Sequence, residues 1–169
     1  MGYCKLAHAA GIGDLVMVQD LIAAGADVHA CNDAALRTAA EYGRLDVVRA
    51  LLAAGADVHA RDDYALCLAA GNGHSAVVRV LLDAGADVHA LNDYALCMAS
   101  ANGRLEVVRA LLAAGADAHA RNDDALREAS TYGHLEVVRE LKRAAGMSEE
   151  AWQKYPQAII EVEREEAED

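Results

Sequence analysis

Apolar residues along this chain fall at helical spacing, and the arrangement starts again every 30 residues. Leu45, Val47, Val48, Leu51 and Leu52 share one stripe, and Leu105, Val107, Val108, Leu111 and Leu112 repeat it. Spacing of three to four residues predicts a helix buried on one side. Arg49, Arg79, Arg109 and Arg139 interrupt each stripe at one register and are expected to face water. Ahead of each stripe runs Ala-Leu-x-x-Ala-Ala or Ala-Leu-x-x-Ala-Ser, a second helical pattern whose alanines permit close approach. Asp33, Asp63, Asp93 and Asp123 stand at its start, where a carboxylate can cap a helix, and Gly43, Gly73, Gly103 and Gly133 end it in the left-handed position. Gly25, Gly55, Gly85 and Gly115 close the other helix and open a connector reading Gly-Ala-Asp-Val-His-Ala, with Ala118 in place of Val in the last copy.

A unit of two short helices cannot bury its own apolar face, so the copies must stack into a solenoid. Residues 1–146 divide into units 1–30, 31–60, 61–90, 91–120 and 121–146. Lys142 and Arg143 replace the apolar pattern in the last unit, as at the end of a stack. Residues 147–169 are expected to form a capping helix and an acidic tail. Trp152, Ile159, Ile160 and Val162 would cover the open end, and Pro156 would divide the segment.

Composition narrows this to an all-α chain: hydrophobic content is 54%, alanine dominates it, Phe is absent and Pro occurs once. Acids outnumber bases by 27 to 15, for a formal charge of −12. Eight acids against two bases lie from Gly146 onward. With no basic stripe, neither nucleic acid nor an anionic membrane is an expected partner, and a protein with a basic surface is. No run approaches the ~18 apolar residues of a membrane span, and no leader pattern opens the chain, so a cytoplasmic or otherwise intracellular location is expected. Cys4, Cys31, Cys67 and Cys97 lack C-x-x-C spacing and read as free thiols of a reducing compartment.

Ala-Leu-Cys-Leu-Ala-Ala from Ala65, Gly73-His74, Val-Val-Arg-Val-Leu-Leu from Val77 and Gly-Ala-Asp-Val from Gly85 together resemble the ankyrin repeat, in register from residue 5 to about residue 146. The usual ankyrin unit is about 33 residues long with a Thr-Pro-Leu-His element. Here Tyr64-Ala65-Leu66-Cys67 occupies that place after a shorter connector, which leaves little chain for a projecting β-hairpin. Units of this short type resemble those of viral and microbial ankyrin proteins. The resemblance implies an all-α ankyrin-repeat solenoid of five helix-turn-helix units with shortened hairpin loops, acting as a protein-binding module.

Three in-register rows invite chemistry. His29, His59, His89 and His119 are expected to lie in a row at the roughly 8–10 Å spacing of packed helices, so they bridge loop groups between repeats instead of converging on a metal. Cys67 and Cys97, one unit apart, exceed the ~7 Å reach of a disulfide and lack a local base for nucleophilic work. The aspartates at the helix starts read as caps, not as acid and base. No cofactor, metal or catalytic role is expected.

Positions that differ between copies carry the recognition reading. The middle units offer Tyr64, Cys67, Leu68, Leu91, Tyr94, Cys97 and Met98, with Arg61 at the entry. The flanking units offer Arg37, Glu41, Arg121, Asp124 and Arg127 at related registers. An apolar centre with a charged rim is the anatomy of a protein interface. The expectation is a monomeric, non-catalytic interaction module that takes a partner on its concave face, as an inhibitor, immunity protein or effector adaptor. A spacer or scaffold segment is the alternative; a small-molecule binder or enzyme fits less well, because an open solenoid offers no closed pocket.

Overall fold

The computed structural model describes residues 5–146 and Ser148. Ten helices follow one another in five pairs among the described residues: α1 Lys5–Ile12 and α2 Leu15–Ala23, α3 Ala30–Glu41 and α4 Leu45–Ala53, α5 Ala60–Asn72 and α6 Ser75–Asp83, α7 Ala90–Ala101 and α8 Leu105–Ala113, α9 Ala120–Thr131 and α10 Leu135–Ala145. No strand occurs among these residues, so the short connectors form no β-hairpin. The capping helix expected of Trp152, Ile159, Ile160 and Val162 lies outside the described residues.

Two layers result. The odd-numbered helices bury Leu36, Leu66, Leu96 and Leu126 together with rows of alanine such as Ala35, Ala39, Ala65, Ala69, Ala95 and Ala99. Small side chains let these helices approach closely, and successive odd-numbered helices pack more intimately than successive even-numbered ones. Closer spacing on one side bends the stack towards it, which places the odd-numbered helices on the concave side. From α4 onward the even-numbered helices bury Val47, Val48 and Leu51 and their equivalents, while Leu45 and Leu52 are half-buried. Arg49, Arg79 and Arg109 are exposed as expected; Arg139 is half-buried against Glu136.

The connector differs from its expected form. Cys31, Asn32 and Asp33 have φ of 58°, 56° and 52°, and the equivalent triplets at Arg61, Leu91 and Arg121 do the same. A left-handed turn therefore opens each of α3, α5, α7 and α9, ahead of its right-handed turns. Asn and Asp tolerate this region; Cys, Arg and Leu adopt it at about 1–2 kcal/mol per residue. The aspartates are not helix caps either. No side-chain cap bond closes these four helices. Instead, Asp33, Asp63 and Asp93 each accept the backbone N–H of the connector that closes their own unit, from Asp57, Asp87 and Asp117, at 2.8, 3.0 and 2.8 Å. Each part-buried N–H, two dozen residues away in a connector with no helical partner for it, takes the carboxylate in place of the local helix start.

A second column of bonds joins the layers at the other end of the odd-numbered helices. Arg44 and Arg104 donate through Nε to the carbonyls of Gly11 and Gly71. Nε2 of His74 and of His134 bonds the carbonyls of Glu41 and Ala101, each in the preceding unit. These carbonyls belong to helix ends that lack intrahelical partners. Gly43 shows why its residue type is needed: its φ is +67°, and a Cβ there would sit 2.5 Å from the His74 ring.

Candidate functional site

The concave layer brings most of the variable residues onto one surface. Tyr64 and Tyr94 stand at the start of their helices, half-buried and packed on the core. The Arg61 guanidinium lies over the Tyr64 ring at 5.9 Å, and Arg121, from the following unit, lies over Tyr94 at 5.4 Å. Such stacking fixes the rings and places a cation beside each. Leu68 and Met98, one turn further along, are half-buried, and Leu91 in the left-handed turn is exposed.

The flanking charges are braced. Arg37 donates to the carbonyls of Asn32 and Cys31 at 3.1 and 3.0 Å, holding the left-handed turn. Asp124 takes Arg121 Nε at 3.2 Å and also bonds Arg127. Glu41 is half-buried, and its carbonyl accepts His74. Most of the rim is therefore preorganised by bonds within the protein, which reduces the ordering cost of docking.

Cys67 and Cys97 do not belong to this surface. Both are buried, at 2% and 5% exposure, on the sides of α5 and α7 that face neighbouring helices. They share a column with Arg37 and Arg127, whose longer side chains reach solvent while the thiols stay beneath. Burial, and secondarily the nearby Asp63, pushes Cys67 up to about 12. Burial, with Asp124 next, pushes Cys97 up to about 11. Neither is a thiolate at neutral pH, so neither is poised as a nucleophile. In a Cys4→Ser background, maleimide labelling of the native protein should modify exposed Cys31 at least ~100-fold faster than Cys67 or Cys97, whose reaction waits on local opening. Equal rates, read by mass spectrometry of the peptides, would show that the odd-numbered helices open freely.

The histidine row is arranged differently from expectation. Nδ1 of His29, His59, His89 and His119 pairs with the aspartate of its own turn, Asp33, Asp63, Asp93 and Asp123, and three of those aspartates, Asp33, Asp63 and Asp93, carry the bond to the connector that closes their unit. His119 also reaches forward, with Nε2 bonding the carbonyl of Ala145 at 3.1 Å. Its hydrogen bond to Asp123 first, and that carbonyl second, raise its pKa above the ordinary histidine value. The proton it holds thus ties the last helix down most firmly at low pH, and the contribution fades as pH rises through the folded-state pKa. No group of three or more potential metal ligands converges among the described residues.

Sequence reasoning overlooked three features. Ile12 and Tyr42, at the ends of α1 and α3, are 54% and 55% exposed, and Tyr132 ends α9 in the same column. The signal was available, since that column reads Asn72 and Asn102 in the middle units. The first unit is also open at its outer side: Met17 is 45% exposed where Val47 is 2%. Val16, at a position held by Asp46, Glu106 and Glu136 in other copies, is 67% exposed. Among the described residues nothing covers these two side chains. Third is the interlayer column of Arg44, His74, Arg104 and His134.

No helix among the described residues is long and apolar enough to cross a membrane. None of the curated proteins matches this chain. A family model described as ankyrin repeats, three copies, matches residues 6–92 and again residues 66–150. Paired helices, alanine-rich concave layer and glycine-ended units all agree with that match over most of the length, and the chain belongs to the ankyrin repeat family.

Proposed function

We infer that this chain serves protein–protein interaction, as ankyrin repeats generally do, typically without catalysis. We propose that this chain binds a partner protein on its concave face, through Tyr64, Leu68, Leu91, Tyr94 and Met98. Arg37, Arg61, Arg121, Arg127, Glu41 and Asp124 set orientation around them. The observation that carries this reading is the stacking of Arg61 and Arg121 on two tyrosines of adjacent units, which presents rigid aromatic surface among braced charges. The formal charge of −12 would steer a partner with a basic surface towards it, inside the cell and with the chain as a monomer. An inhibitor, immunity protein or effector adaptor would use such a rigid display. Capture of the partner, followed by loss of capture on changing both tyrosines, is the experiment that tests it.

The exposed Met17 and Val16 favour a second reading, a scaffold segment whose first unit stacks on another repeat surface. If it holds, sedimentation of the native chain should show self-association at micromolar concentration that Met17→Glu abolishes. A monomer at every concentration, unchanged by Met17→Glu, removes self-stacking.

A further inference from the structure

Between α1 and α3 runs an open groove of about 390 Å³. Its floor is low because the residues there are small: Ala7 and Gly11 on one helix and Thr38 on the other. A Cβ on Gly11 would fall 2.9 Å from Thr38 Cγ2 and 3.7 Å from the Tyr42 ring, so glycine keeps this space open. Ile12 and Tyr42 form apolar walls, both more than half exposed. In the middle units the same column holds Asn72 and Asn102, whose side chains fold back to the carbonyls of Leu68 and Met98. Two self-satisfied polar residues are thus replaced here by two apolar ones that meet water.

The charge around the groove selects its occupant. In a chain of net charge −12, the lining contains two bases, His8 and Arg44, and no carboxylate. Nε of Arg44 is spent on the Gly11 carbonyl at 3.0 Å. That bond anchors the guanidinium at the groove while its terminal nitrogens have no carboxylate within the described residues. An anchored guanidinium with two nitrogens to spare is suited to bidentate capture of a carboxylate.

We propose that this groove is a second binding site, which takes an apolar side chain adjacent to a carboxylate, as presented by the C-terminus of a partner protein chain. Ile12 and Tyr42 hold the apolar group and Arg44 the carboxylate. This site stands apart from the Tyr64–Tyr94 surface and does not depend on that surface binding anything.

Phenylacetate and phenylacetamide, of nearly equal size and opposite in charge character, are the test ligands, followed by amide-resolved NMR of the whole chain. Fragments of this size bind at ~1–10 mM. Phenylacetate should shift the amides of Gly11, Ile12, Thr38 and Tyr42, and bind about 5-fold more tightly than the amide. Ile12→Asn with Tyr42→Asn, which installs the residues of the middle units, should abolish the shifts. Arg44→Gln should bring the two ligands to equal affinity, and this variant decides the matter if the double variant fails to give a native spectrum. No shift at ~10 mM, equal affinity in the native protein, or shifts centred elsewhere would each overturn the proposal.

Discussion

Changing Asp63 to alanine is expected to destabilise the protein by about 2–4 kcal/mol, one of the largest single-residue effects available outside the leucine core. Asp63 is 5% exposed, and its Oδ1 accepts both the Asp87 N–H at 3.0 Å and His59 Nδ1 at 3.1 Å. Removing the carboxylate leaves a part-buried N–H without its acceptor, at roughly 1–2 kcal/mol. It also puts alanine at φ +57°, a conformation that costs it about 1–2 kcal/mol. Asp63→Asn keeps an acceptor and a residue that tolerates the left-handed region, so its loss should be no more than about 1 kcal/mol. Urea unfolding of both variants, with slopes compared to exclude a change of cooperativity, separates them. Similar losses for Asp33→Ala and Asp93→Ala would follow from the shared geometry. If Asp63→Ala and Asp63→Asn unfold at the same urea concentration, the bond from the Asp87 N–H does not hold the turn.

This same residue shows where sequence reasoning stopped. Leucines, valines and glycines in fixed columns were enough to place ten helices in five pairs, because each column has only one environment that suits it. Asp63 precedes a helix, and a local rule assigns it to that helix's first turn. Its actual acceptor role is set by the Asp87 N–H, which reaches it only after α5 and α6 have folded back on each other. The left-handed triplets were hidden for a related reason: Arg61 and Leu91 carry no mark of a positive φ, and only their neighbours Asp62 and Asn92 do. On the concave face, Tyr64, Tyr94, Leu68 and Met98 were legible as departures from a repeating pattern. Burial of Cys67 was not, since the same column holds Arg37, whose length lets it escape where a thiol cannot. Ile12 and Tyr42 were missed because attention fell on the middle units and the informative contrast lay at the ends.

The proposed recognition face carries the largest expected effect on binding. Tyr64→Ala with Tyr94→Ala removes two rings and leaves Arg61 and Arg121 without the surfaces they lie over. Half-buried aromatic anchors at the centre of an interface cost about 2 kcal/mol or more on truncation, or roughly 30-fold in affinity. Both rings rest on the core without filling it, so the helical content should survive. A control belongs on the opposite layer, and Arg49→Ala with Arg79→Ala is a cleaner choice than one involving Arg109. Arg109 bonds Glu140 at 3.0 Å and Glu106 at 3.1 Å, tying α8 to α10, so its loss would mix stability with binding. The exposed pair at 49 and 79 should change affinity by well under ~1 kcal/mol.

Titration calorimetry of the captured partner against the native chain, the double-tyrosine variant and the double-arginine control tests the concave-face assignment most directly. The expected result is a loss of roughly 30-fold or more in affinity for Tyr64→Ala with Tyr94→Ala, near-native affinity for Arg49→Ala with Arg79→Ala, and matching helical spectra for all three. Native affinity in the tyrosine variant together with lost binding in the arginine control would place the partner on the even-numbered helices and contradict the assignment.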